Sequence, residues 1–584
     1  MLRLLFLCWG IGLWSIFDTP SSSTFTVTTT DDLNDANLGD GICGTTIDGD
    51  ACSLRAAIQE SNFAHGANHI VLPAGVYANS LGTYLITDDL TSTGDSSSTT
   101  ILINAQERGL PITMFDINCT DGYPVGKGCS STVSFSDLSM IGIFSGIRNY
   151  GSDLNVENVT VEAVQFPILQ TNPNNLNNAL TITNSSFVGT GAGSEGVRIE
   201  NGSLTVVNSD FQQFGRNSIR ILNGSSAEIS SSSFSNNDFS AVFARESSLI
   251  VDDAQFTNNF GEWGGAIYSE NGTLTVLGSH FSSNRASRQG GAIYCQDSDA
   301  VIQDSGFENN VADLDGGAIF HLDSANAPLL VVNSQIKNNS GINGGGIFAR
   351  NADIENSAII DNSATAGDGG GLHALNQFTL TNSTISGNSA TGVGGGIHLT
   401  RLLSTPKPTS SILYSTITDN QGVNGANLSV EKGYPLNRFS INSSVFSGPI
   451  LGTNCVGTSK VNSQGHNLVS DSSCGFGEST DLIGVDPELE PLSLNGGSTL
   501  NHSLASLSPA IDGGDPARCP AVDQRFVTRF FNGGCDIGAI EADVVPTAIN
   551  LVETDTSRKI SPYFFILFAM LASMRAFHQR MIRG

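Results

Sequence analysis

Between residues 234 and 420, short apolar stretches alternate with corners rich in Asn, Ser, Thr and Gly, and the alternation is periodic. Its clearest marker is a glycine element found six times: Gly264-Gly265-Ala266-Ile267, Gly290-Gly291-Ala292-Ile293, Gly316-Gly317-Ala318-Ile319, Gly344-Gly345-Gly346-Ile347, Gly369-Gly370-Gly371-Leu372 and Gly394-Gly395-Gly396-Ile397. The third position recurs at intervals of 26, 26, 28, 25 and 25 residues. Ahead of each copy stands Phe/Ile-x-x-Asn, from Phe256 with Asn259 to Ile385 with Asn388. The same pair occurs without glycines at Phe234 with Asn237 and Ile417 with Asn420. A unit of about 25 residues with alternating segments such as Leu274-Thr275-Val276-Leu277 is too short for a helical hairpin and carries no heptad. It predicts one coil of a β-solenoid, with coils stacked at about 4.8 Å and equivalent positions in axial ladders. Glycines then sit where a Cβ would clash, and Phe and Ile fill the interior. Asn is expected to turn the corner in left-handed backbone and to bond its neighbour's main chain. Ladders of this kind account for the Asn and Gly rows as structure rather than as a ligand site.

The paired signatures G-G-A-I and F-x-x-N resemble the repeats of chlamydial polymorphic outer-membrane proteins and related bacterial β-helix proteins. Over residues 234–420 the resemblance implies an all-β, single-stranded right-handed parallel β-helix, a pectate-lyase-like solenoid, with cell-surface display often linked to adhesion. The long run of alternating strands that a transmembrane barrel needs is not seen, so an autotransporter is not expected.

Upstream, Phe25-Thr26-Val27-Thr28-Thr29, Asp31-Asp32, Cys43, Cys52-Ser53-Leu54-Arg55-Ala56-Ala57-Ile58 and Leu72-Pro73-Ala74-Gly75 resemble the CSLREA domain of secreted bacterial proteins. That family has Glu where this chain has Ala56, so any salt bridge the Glu makes is missing here. The expected role is a cap, in which an amphipathic segment from Leu54 to Phe63 covers the unpaired edge of the first coil. Downstream, Asn467-Leu468, Asp486-Pro487, Leu494-Asn495-Gly496-Gly497, Ser508-Pro509-Ala510-Ile511-Asp512, Asp523-Gln524-Arg525 and Cys535-Asp536-Ile537-Gly538 resemble the choice-of-anchor Q domain. In that family the region follows a β-helix and precedes varied surface anchors, and Gly is usual where this chain has Phe526. Asp523, Arg525 and Asp536 are expected to form a buried carboxylate–guanidinium clamp closing the last coils.

The ends of the chain read as sorting signals. Met1-Leu2-Arg3, an apolar run over residues 4–17 and a Ser/Thr tract have the layout of a secretory signal peptide. Residues 560–577 are apolar and are followed by Arg580 and Arg583, as in a stop-transfer span or a tail removed by a sorting protease. The expected organisation is a signal peptide (1–22), an N-terminal cap (23–80), the β-helix (81–455), an anchor-type region (456–545) and a linker with hydrophobic and basic tail (546–584).

Composition narrows the partners. With 26 Lys and Arg against 55 Asp and Glu the formal net charge is -29, which removes the basic footprint that nucleic acid requires. Eight of the ten cysteines form near-neighbour couples, Cys43 with Cys52, Cys119 with Cys129, Cys455 with Cys474 and Cys519 with Cys535. Local disulfides in an oxidising compartment are expected, with Cys8 in the signal run and Cys295 left over. The expectation is a monomer exported to the cell surface, the outer membrane or the extracellular space, meeting a membrane through its tail where that tail is retained rather than cleaved.

Catalysis has to be sought in sites, because the same fold hosts polysaccharide lyases, hydrolases and epimerases. A lyase needs clustered carboxylates for Ca2+ and a nearby Arg or Lys as base. The candidates are Asp313 and Asp315, which share a strand face, with Asp368 from a later coil as third cation ligand. Arg288 is the candidate base, with Arg285 and Arg350 beside it in sequence order. A solvated turn explains the same acids more simply, so Ca2+ is the only cofactor considered. The leading expectation is a structural, adhesive or glycan-binding surface protein whose partners are glycans or proteins of other cells. A pectate-lyase-like enzyme is the alternative.

Overall fold

The computed structural model describes residues 22–542, apart from 65, 104–112, 119–130, 163, 172–177, 192, 401–408, 433, 435–437, 458–460 and 530–533. The signal and tail expectations, and those for Cys8, Cys119 and Cys129, lie outside the described residues. The described chain is a right-handed parallel β-solenoid. One coil shows its construction. Ile267–Glu270 forms the first face and Thr273–Leu277 the second, and both belong to one 30-stranded parallel sheet. His280–Ser282 forms the third face and Arg285–Ala286 a short fourth strand. Gly290 and Gly291 then carry the chain up to Ile293–Gln296, which pairs in register with Ile267–Glu270.

The glycine pair divides two tasks. Gly290 has φ +68°, a conformation that disfavours L side chains, and the equivalent Gly264 and Gly316 behave alike at +58° and +69°. Gly291 sits so close to the coil above that a Cβ would run into Gly317 O. The interior holds the expected apolar row. Phe187, Phe211, Phe234, Phe256, Phe281 and Phe307 stack with ring centroids 4.6–5.2 Å apart and continue as Ile336, Ile359, Ile385 and Ile417. All are at most 1 % exposed.

The Asn expectation needs correction. Left-handed backbone belongs to the residue before the motif Asn, as at Asn258 (φ 55°), Ser283 (56°) and Asn309 (57°). The motif Asn itself points inward and is buried. Asn284 Nδ2 donates to Phe256 O (3.0 Å) and Asn310 Oδ1 (3.0 Å), its backbone N–H donates to Asn310 Oδ1 (2.9 Å), and its own Oδ1 accepts from Asn259. Every polar atom of the buried amide is thereby used, which is the condition for keeping it inside at all. A serine row does the same at the previous corner, where Ser279 N donates to Ser305 Oγ (3.2 Å) and Ser279 Oγ to Leu277 O (2.7 Å).

Near the N-terminal end a helix packs beside the strands Asn68–Leu72 and Tyr84–Ile86. Leu54–Phe63 is an α-helix whose N-cap Ser53 accepts from Ala56 N. Arg55 pairs with Asp32 (2.7 Å) and stacks on Tyr84 (4.6 Å), and Glu60 accepts from Gly39 N (2.7 Å) and Gly41 N (2.5 Å). These contacts secure the cap at a site where Ala56 itself has no polar side chain. Disulfides join Cys43 to Cys52, Cys455 to Cys474 and Cys519 to Cys535, and Cys295 is free and buried.

After the last coil the chain turns back and lies along the third face as a strap. Ser498 Oγ donates to Asn333 Oδ1 (2.6 Å), His502 Nε2 meets Ser386 Oγ (2.9 Å), Thr384 Oγ1 donates to Gln524 (2.6 Å) and Ala539 N donates to Thr416 Oγ1 (3.0 Å). Beneath it, outward positions become buried: Thr384, Thr416 and Val445 are at most 2 % exposed. The clamp that holds it differs from the expected trio. Arg525 binds Asp523 (2.6 Å), but Asp536 holds the backbone N–H groups of Asp512 and Ala542. The central cation is Arg529, fully buried, which reaches Gly538 O (2.7 Å), Asn382 Oδ1 (3.1 Å) and Glu541 (3.4 Å) and lies over Tyr414 at 4.7 Å.

Candidate functional site

On the first face the residue after each G-G-x-I/L points outward, and the coil repeat stacks these residues into one strip. Phe243, Tyr268, Tyr294, Phe320 and Phe348 follow one another with centroids 4.6–5.2 Å apart, and His373 and His398 extend the row. Tyr268 donates to Glu270 (3.0 Å), which also pairs with Arg245 (2.6 Å), and Tyr294 donates to Gln296 (2.5 Å). All of these rings except Phe243 are at most 9 % exposed, since each covers the next, so the strip offers edges and hydroxyls rather than ring faces. The signal for this strip lies in the position that follows each glycine element, outside the element itself.

The turn beside the strip is more open. Phe239 and Phe260 are 48 % and 41 % exposed, and Trp263 is half-buried with its ring 6.3 Å from that of Tyr294 in the strip. Ser240 Oγ donates to Trp263 O (2.7 Å), which sets Phe239 on the coil next to Trp263. One coil further on, Arg285 is the ladder partner of Phe260, and Arg288 lies over Trp263 at 5.0 Å. Both guanidinium groups are matched, Arg288 by Glu262 (2.9 Å) and Arg285 by Asp313 (2.8 and 3.1 Å).

The expected catalytic carboxylates are accordingly dispersed. Asp313 serves Arg285, whereas Asp315 Oδ1 accepts from Asn343 Nδ2 (2.9 Å) and Asn343 Oδ1 accepts from Asp368 N (3.0 Å). Asp315 and Asp368 therefore stand two coils apart, roughly 10 Å at the solenoid repeat, with an amide between them. Among the described residues no group of three or more His, Cys, Asp or Glu side chains is arranged to hold a metal ion. Arg288 is engaged by Glu262 and Trp263 rather than aimed at either acid.

Asp368 instead faces the histidines. Its Oδ2 lies 3.8 Å from His398 Nε2, and His398 Nδ1 meets Ser429 Oγ at 3.0 Å. Ser, His and Asp thus line up, but Ser429 is only 3 % exposed, so a substrate has no path to that hydroxyl. Burial and the neighbouring His398 hold His373 down to about 4, and burial lowers His398 as well. Cys295 and His321 occupy the inward row behind the strip; burial pushes the Cys295 thiol up to about 12, which keeps it protonated.

A groove of about 820 Å3 separates the strap from the third face, with Asp361 and Asp419 on one wall and Asp486 and Glu490 on the other. At Gly387 and Gly448 a Cβ would strike the carboxylates of Asp361 and Asp419, so glycine keeps those carboxylates in place.

Comparison with known proteins supports the fold. The right handed beta helix region family matches residues 195–353, and the Chlamydia polymorphic membrane protein repeat matches residues 382–400. No curated protein matches the chain. Among solved structures, the chain is similar to the catalytic unit of a thermostable alpha-1,3-glucanase from Streptomyces thermodiastaticus, at 14% identity over 67% of each chain with a TM-score of 0.37. It is also similar to the A-module of an Azotobacter vinelandii mannuronan C-5 epimerase, at 15% identity over 75% of this chain and 98% of the other, with a TM-score of 0.24. Likeness at these scores says nothing about activity. The polymorphic membrane protein repeat and the three disulfides fit an exported or surface protein. Among the described residues no helix is long and apolar enough to cross a membrane.

Proposed function

We propose that the chain is an exported cell-surface β-helix that works as a binding platform for the glycans or proteins of other cells. The observation that carries this is the open turn at Phe239, Phe260 and Trp263. Large apolar side chains are left at the surface there, while the backbone around them is already paired from coil to coil, as between Phe260 N and Asn237 O (2.8 Å) and Arg285 N and Asn259 O (2.8 Å). Trp263 already has Arg288 over its ring, so the apolar surface offered to a partner is that of Phe239 and Phe260. The CSLREA-like cap, the anchor-Q-like strap, the domain limits given above and a surface-holding tail belong to the same proposal, with a monomer as the working unit.

The test is adhesion of the full-length chain, purified in mild detergent, to cells, matrix proteins and a glycan array. Retention lost in a Phe260→Ala, Trp263→Ala double variant supports the platform. No retention on any surface sinks it. Release of unsaturated product from an acidic polysaccharide, abolished by Asp315→Ala, would replace it with a lyase.

A further inference from the structure

We infer that the N-terminal cap binds a divalent cation, with Ca2+ the ion its chemistry suits, between the carboxylates of Asp35 and Glu60. The two acids come from different elements. Glu60 belongs to the helix Leu54–Phe63, and Asp35 to the loop before it, where it bridges Thr45 and its N–H donates to Gln59 Oε1 (2.9 Å). Asp35 is 6 % exposed and Glu60 1 %, and their side chains lie within hydrogen-bonding reach of each other.

Two carboxylates buried side by side need a positive charge between them. No ion pair among the described residues includes either acid. Arg55 on the same helix is held by Asp32, Gly82 O and Thr83 O. Glu60 accepts Gly39 N with one oxygen and Gly41 N with the other, and such donors keep a carboxylate ionised. Asp35 Oδ1 accepts from Ala36 N (2.9 Å), but its Oδ2, shut off from water, accepts from no donor. A sealed, unmet oxygen beside an ionised carboxylate is satisfied by a cation that bridges the two. Burial and the neighbouring Glu60 raise Asp35 above its ordinary value, and Asp40 adds to the same field, so the bare pair is poorly compensated.

The donors are all oxygen. Zn2+ is drawn to nitrogen and sulfur and Mg2+ to a rigid octahedron rich in water, whereas Ca2+ takes carboxylates in irregular shells completed by main-chain oxygen and water. Two acids converge here, fewer than the groups of three or more that are absent among the described residues, and the affinity is accordingly that of a weak site. The ion ties the helix to its preceding loop, so the firmness of the cap depends on the Ca2+ around it. What the open turn binds has no bearing on this.

The test is calorimetry, thermal melting and hydrogen exchange of the full-length chain, stripped with EDTA and titrated with CaCl2 or MgCl2 at neutral pH. The expected result is saturable Ca2+ binding with a Kd of about 10⁻⁴–10⁻³ M, Mg2+ binding at least about tenfold weaker, and protection that rises in Leu54–Phe63 on adding Ca2+. Asp35→Asn should weaken Ca2+ binding by about tenfold or more and leave the Ca2+-free melting temperature unchanged or higher, because it removes one of two repelling charges. Exchange in the unaltered chain needs no variant, so it decides even where Asp35→Asn does not fold. Ca2+ that raises no protection in the helix, or binding that survives Asp35→Asn, overturns the inference. So does a chain indifferent to Ca2+ whose Asp35→Asn variant melts higher, since the pair then shares a proton instead.

Discussion

Two stretches of the solenoid share one interior and differ outside. In the bare coils, from Ser233–Ser235 to Gly306–Glu308, the third face shows Ser, Gln, His and Glu to solvent. In the covered coils, from Ala358–Ile360 to Val445–Ser447, the leading outward residues are Ala, Thr, Thr and Val, and all are buried beneath the strap. The Phe/Ile row runs on through both, and the Asn row reaches into the covered coils as far as Asn420, after which Pro449 takes its place. Ladders thus suffice to build a coil, and the outer residues decide what the coil is for. Bare coils keep an open aromatic turn, whereas covered coils trade that surface for tertiary contacts.

The comparison can be broken most forcefully inside the bare coils. Phe281→Ala opens the stack between Phe256 and Phe307 and should cost about 3–5 kcal/mol in urea unfolding. A loss below about 1 kcal/mol would mean that neighbouring coils collapse into the gap and that the stack matters little. In the covered coils Arg529→Ala should cost a similar 3–5 kcal/mol, because Glu541 stays buried without its partner. Hydrogen exchange locates the damage: protection should fall at Thr384–Ser386 and Thr416–Thr418 but not at His280–Ser282. Equal loss in both places would show that strap and solenoid unfold as one.

Acid sharpens the contrast at the end of the aromatic strip. His373 is held down to about 4 by burial and His398, against the pull of Asp368 and Asp315. Since its folded value lies below the ordinary 6.5, the unfolded chain takes up the proton first. The associated stability is complete above pH 6.5 and falls by about 3 kcal/mol as pH drops through 4. His373→Phe, which continues the row of Phe320 and Phe348, should remove that part of the acid dependence when the two melting profiles are subtracted. The smallest effect is expected at Phe526, whose φ of 63° strains a residue with a Cβ and whose side chain is 52 % exposed. Phe526→Gly should raise stability by roughly 1 kcal/mol, readable as a higher melting temperature.

Much of this was legible because a solenoid repeats its own constraints. Gly264, Gly290 and Gly316 recur since each must adopt the same left-handed turn, and Phe256, Phe281 and Phe307 recur since each fills the same slot. The helix over Leu54–Phe63 was readable from a local amphipathic run. The Asn corner was misassigned by one residue, because Asn258 and Asn259 are both Asn and only backbone geometry tells the turning residue from the buried one. The surroundings of the acid candidates were hidden for a related reason: Asp313 and Asp315 share a local pattern, yet Arg285 and Asn343, 28 residues away from each, hold them separately.

By itself, the sequence determined the periodic part of this protein: its coil length, its interior rows and its glycine turns. Those depend on contacts between equivalent positions, and such contacts are written into the repeat. Only the tertiary structure decided where the strap lies, that Arg529 rather than Asp536 anchors it, and that Phe239, Phe260, Trp263, Arg285 and Arg288 gather at one turn. Those outcomes join residues as far apart as Ser498 and Asn333, or coils of unequal length, and no periodicity relates them.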